Sequence, residues 1–154
     1  MTLRHRCGPR KGWTPEALVR REKAIGPNPW GGYNHNSLGR EFFQVGYWEM
    51  AVSEFEKAVE INPWQALFKV NLARAYLSAG DAKKAQRAVD AALRQEPNSV
   101  AGMFAAGLIH EKLGHADEAI RWYRRCLALK PSLGMRWQAE ESLDWLVRER
   151  EKGR

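Results

Sequence analysis

The chain has 154 residues, 44% of them hydrophobic and 28% charged, with a net charge of +7. That is enough apolar content for one domain with a sizeable core, and it excludes a disordered polar chain. No run of 18 apolar residues occurs, so a membrane-spanning helix is not expected.

The first stretch, residues 1–13, is rich in Arg, Gly and Pro and has no periodicity, so it reads as an extended arm. It has no apolar run behind its charges, as a secretory signal would need. Seven Lys/Arg but only Glu16 and Glu22 fall within residues 1–30, so the net charge is concentrated there. Thr14-Pro15-Glu16 is a helix start: a capping hydroxyl, proline at the first helical position and an acid at the positive dipole end. A short helix is predicted to about Ala24, closed by Gly26-Pro27-Asn28-Pro29. Residues 1–31 form this arm and helix.

From about residue 32 the sequence repeats. Gly46, Gly80 and Gly114 are 34 residues apart, as are Ala51, Ala85 and Ala119, and Pro63, Pro97 and Pro131. Ala58, Ala92 and Cys126 share a further small position. Such a period with two helices per unit predicts stacked helical hairpins. The units are 32–65, 66–99 and 100–133. In each, apolar residues recur three and four apart on both helices: Leu38 and Phe42 with Phe55 and Val59, Leu72 and Tyr76 with Val89 and Leu93, Phe104 and Leu108 with Ile120 and Tyr123. Gly39, Ala73 and Gly107 supply the small residues at which hairpin helices approach closely. Residues 134–154 carry Trp137, Leu143, Trp145 and Leu146 on an otherwise polar helix, expected to cap the open end. Among the seven tryptophans, Trp13 and Trp30 are expected to hold the N-terminal helix on the first unit, and Trp137 and Trp145 to seal the last. Trp48 and Trp64, beside turns, are the better candidates for an interface.

These residues resemble the tetratricopeptide repeat. Its pattern of a Leu-Gly/Ala pair, an aromatic, a turn Gly, an Ala, an aromatic, an Ala and a closing Pro is met by Leu38-Gly39, Phe42, Gly46, Ala51, Phe55, Ala58 and Pro63. The second unit meets it through Leu72-Ala73, Tyr76, Gly80, Ala85, Ala92 and Pro97, with Val89 for the aromatic. The third does so through Gly107, Gly114, Ala119, Tyr123 and Pro131, departing at Ala106, His110 and Cys126. The resemblance implies an all-α, right-handed solenoid of three hairpins. It also implies a concave groove, lined by the first helix of each unit, where peptides or helices lie.

On that basis the groove is expected to present Tyr33, Asn36, Arg40, Phe43 and Gln44 from the first unit. Leu67, Val70, Asn71, Arg74 and Leu77 would follow from the second, and Phe104 and Leu108 from the third. Arg40 and Arg74, one unit apart, would stack as neighbours able to hold a carboxylate. Against this stands the reading in which both arginines only pair with Glu41 or other local acids. Some family members grip the two carboxylates of chaperone tails with Lys and Asn, then Asn, then Lys and Arg. Here Asn71 alone matches. Asn36, Arg40, Ala101 and Ala105 occupy the other places, so that ligand is not expected.

No HExxH, GxSxG, P-loop or GxGxxG is present, and His5, His35, His110 and His115 lack ligand spacing. Cys7 and Cys126 make neither a disulfide framework nor a CxxC pair, which fits a cytoplasmic chain with free thiols. No enzyme, cofactor or metal is expected. The leading expectation is an adaptor, scaffold or assembly factor binding a protein or peptide ligand, in particular an acidic one. The alternatives are a nucleic-acid-associated or acidic-partner-binding role for the basic arm, and a homo-oligomeric scaffold.

Overall fold

A computed structural model describes residues 30–153 together with Thr14, Glu16, Ala17 and Arg20. The expected Thr14 cap is present, with the Ala17 amide donating to Thr14 Oγ1 at 3.2 Å. The arm itself, Cys7, Trp13 and the Gly26–Pro29 stop lie outside the described residues.

Residues 31–152 form seven helices: α1 (Gly31–Val45), α2 (Trp48–Ile61), α3 (Ala66–Ser78), α4 (Ala82–Gln95), α5 (Val100–Lys112), α6 (Ala116–Ala128) and α7 (Leu133–Lys152). Among the described residues there is no strand. The helices pack as α1/α2, α3/α4 and α5/α6 hairpins, each stacked on the next, with α7 against α6 and α5. The fold is an all-α solenoid of helical hairpins.

The turn that closes each hairpin is the same three times. Gly46, Gly80 and Gly114 have φ of 86°, 95° and 77°, the left-handed region where a Cβ is strained. The amide after each glycine reaches back to the helix: Tyr47 to Phe42 O at 3.0 Å, Asp81 to Tyr76 O at 2.9 Å, His115 to His110 O at 2.8 Å. The glycine amides themselves bond Phe43, Leu77 and Glu111 carbonyls, completing the Schellman pattern that satisfies the helix C-terminus.

Inside the hairpins small residues face large ones. A Cβ on Gly39 would meet Phe55 Cδ1 at 2.8 Å, and one on Gly107 would meet Tyr123 Cε1 at 2.5 Å. Phe42, Phe55 and Tyr123 are fully buried, as are Ala51, Ala85, Ala119 and Cys126. The core runs continuously from Ala66 to Leu146, with a second cluster around Leu38, Phe42 and Phe55. Burial raises the Cys126 thiol above the usual range, and its Sγ lies 3.7 Å from Val100 O, so it acts as a small apolar residue.

At the α5–α6 turn, His110 and His115 meet with their Nδ1 atoms 3.3 Å apart. Their spacing of five, unsuited to one helix face, is bridged by the turn. Burial first, then the His115 ring, hold His110 below the ordinary histidine value of 6.5, while Asp90 and Glu118 oppose this and Arg121 adds to it. A base whose folded pKa is lowered stabilises the fold fully above its unfolded value and loses that contribution as pH falls below it. Thermal melts should therefore show stability falling as pH drops below about 6.5. His110→Phe should reduce that dependence; an unchanged pH profile in the variant would contradict the assignment.

Candidate functional site

The inner helices α1, α3 and α5 place their exposed residues along one face. Two cavities open on it. One, of about 220 Å³, is lined by Arg40, Phe43 and Gln44 of α1, Asn71 and Arg74 of α3, and Phe55. The other, of about 410 Å³, is lined by Leu77, Leu108, Glu111 and Lys112 with Ser142 and Trp145 of α7.

The first cavity is electropositive for a structural reason. Arg40 and Arg74 share a register position one repeat apart, so successive helices set them side by side. Among the described residues neither makes an ion pair; the ion pairs of this structure lie elsewhere. Surrounding protein first, then the Arg40 charge, lower the Arg74 guanidinium from its usual value. An arginine remains charged despite this; burial is the larger cause, and the Arg40 charge adds to it. Arg74 lies over the Phe43 ring, 5.3 Å from its centroid, and Phe43 packs edge-on to Trp48 at 5.0 Å. Asn71 Nδ2 donates to Asn36 Oδ1 at 2.8 Å, tying α3 to α1 beside the arginines.

The remaining expected groove residues divide. Tyr33 is exposed, accepts from Gln65 Nε2 and packs edge-on to Phe68 at 5.1 Å. Leu67 is exposed, and Leu77 and Leu108 are half-buried at the second cavity. Val70 and Phe104 are corrected: they are 1% and 5% exposed and belong to the core. Both pack into the continuous core, Phe104 with its ring 6.2 Å from that of Tyr123 on α6. Ser142 and Trp145 were not anticipated. They stand 34 residues after Leu108 and Glu111, so extending the register into α7 finds them.

The tryptophans also need correction. Trp137 and Trp145, expected to seal the end, are 65% and 55% exposed. Trp64 is 67% exposed and Trp30 is exposed, whereas Trp48 is half-buried against Phe43. Among the described residues no group of three or more His, Cys, Asp or Glu could hold a metal ion. No helix among them is long and apolar enough to cross a membrane.

Family models described as tetratricopeptide repeat match residues 34–63 and 70–133. Together with the three hairpins, they show that the chain belongs to the tetratricopeptide repeat family. A comparison with curated proteins finds no match. Solved structures with the same fold include the first such domain of Spaghetti (RPAP3) bound to an HSP90 peptide, at 19% identity and a TM-score of 0.72, covering 79% of this chain and 94% of that one. PcrH in complex with the chaperone binding region of PopD aligns at 20% identity and 0.72, covering 81% and 97%. The Sgt2 domain from Aspergillus fumigatus aligns at 20% and 0.73, covering 84% and 85%.

Proposed function

We propose that this chain is a non-enzymatic interaction module that holds a segment of another protein along its inner face. An acidic group of the ligand sits between Arg40 and Arg74, and an apolar side chain packs against Leu77, Leu108 and Trp145. The observation that carries the reading is the pair of adjacent guanidinium groups, unpaired among the described residues, where a carboxylate would relieve their repulsion and accept bidentate bonds. Both similar complexes named above hold a protein or peptide segment, which supports the general role. The ligand differs from a two-carboxylate tail, because Ala101 and Ala105 offer no charge and Ala105 is fully buried.

The test is affinity capture from native lysate with the intact chain, the Arg40→Glu/Arg74→Glu variant, and a chain lacking residues 1–13. A partner lost only with the double variant supports the groove. A nucleic acid or acidic partner lost only with the deletion makes the basic arm the functional element and refutes the groove reading.

A further inference from the structure

A second surface lies on the opposite face of α3. Leu72 and Tyr76 are each two residues from Arg74, and two residues turn a helix by about 200°, so they point away from the groove. There, α2, α3 and α4 enclose an open trough of about 390 Å³. Its floor is apolar, from Val59, Leu72 and Ala88, and its rim carries Lys69, Lys84 and Arg87. Among the described residues Lys69 and Arg87 make no ion pair, and Lys84 only reaches Asp81 at 3.8 Å while standing 5.7 Å from the Tyr76 ring centroid. The neighbouring acids are already engaged. Glu56 accepts from the Tyr76 hydroxyl, and Asp81 caps α4 by accepting from the Lys84 amide at 3.0 Å.

We propose that this trough is a second docking site, independent of the groove, and that its occupant is an acidic amphipathic helix of a partner protein. The charge fixes the sign of the ligand: three cations surround the trough and no acid lines it. The floor fixes its character. A nucleic-acid backbone gains nothing from Val59, Leu72 and Ala88, whereas a helix with an apolar stripe flanked by Glu or Asp satisfies floor and rim together. The trough is open along its length, which suits a helix rather than an enclosed small molecule.

Amide NMR spectra of the full chain test this. The probes are a synthetic helical peptide with leucines three and four apart flanked by glutamates, the same peptide with lysines for glutamates, and a thymidine oligonucleotide. The acidic peptide should shift the amides of Leu72, Tyr76, Arg87 and Ala88, in addition to any shifts it causes in the groove. The lysine peptide should shift none of them. Lys84→Glu/Arg87→Glu, both at exposed positions, should weaken the acidic peptide about tenfold or more as read from the titration of those trough amides. The proposal is overturned by shifts confined to the groove face, by no shift at all, or by an oligonucleotide that binds the same amides as tightly.

Discussion

Tyr123→Ala should lower the unfolding free energy by about 3–5 kcal/mol, the range for removing a large buried ring. Among the described residues Tyr123 is the largest fully buried side chain, enclosed between α6 and α5 where it lies against Gly107 and 6.2 Å from the Phe104 ring. Nothing nearby can collapse into the gap, because α5 and α6 are held together at the Gly114 turn. A domain's whole stability is about 5–15 kcal/mol, so this change removes a large share. The hydroxyl contributes much less. It donates to Glu111 Oε2 at 2.7 Å, and Glu111 is half-buried and can recover a partner from water. Tyr123→Phe should therefore cost only about 1 kcal/mol. Urea denaturation of the two variants separates these terms; equal losses would place the energy in the hydrogen bond and contradict the packing account.

The second large effect concerns how the hairpins share volume. The facing positions are Gly39 with Phe55 in the first hairpin and Gly107 with Tyr123 in the third. The second hairpin has Ala73 and Val89 at the same register, both fully buried. A larger residue on one side goes with a smaller one on the other. Gly107→Ala would gain about 0.5–1 kcal/mol from helix propensity. Its Cβ would lie 2.5 Å from a fully buried ring, and such overpacking costs about 1–3 kcal/mol. The single change should thus destabilise by about 1–2 kcal/mol net. Combined with Tyr123→Val, which reproduces the second hairpin's pair, the loss should fall short of the sum of the singles by about 1 kcal/mol or more. Strict additivity in the double-mutant cycle would show that the two positions do not compete for space.

The fold was legible because the residues that build it recur. Gly46, Gly80 and Gly114 mark turns that demand positive φ, and the small–large pairs mark the crossings, so one period reveals each three times over. The site was legible only in part. Arg40 and Arg74 are polar and one repeat apart, and the structure sets both around one cavity. Val70 and Phe104 were placed on the inner face too, yet both are buried in the core, a tertiary effect that periodicity within a helix does not carry. Trp137 was misread for the converse reason. Its apolar character suggests burial, but the ring lies on a face of α7 that leaves it 65% exposed. Ser142 and Trp145 were overlooked because α7 reads as a cap, although it lies where a further inner helix would. The His110–His115 contact depends on a turn folding two helices together, which spacing along one helix cannot reveal.

The central claim, that the inner face binds an acidic segment through Arg40 and Arg74, is tested most directly by selecting ligands from a displayed peptide library. The intact chain and the Arg40→Glu/Arg74→Glu variant would be compared after circular dichroism shows equal melting temperatures. The account predicts that the intact chain enriches peptides carrying a carboxylate near an apolar side chain, and that the variant loses them. Enrichment of the same peptides by both proteins would contradict it.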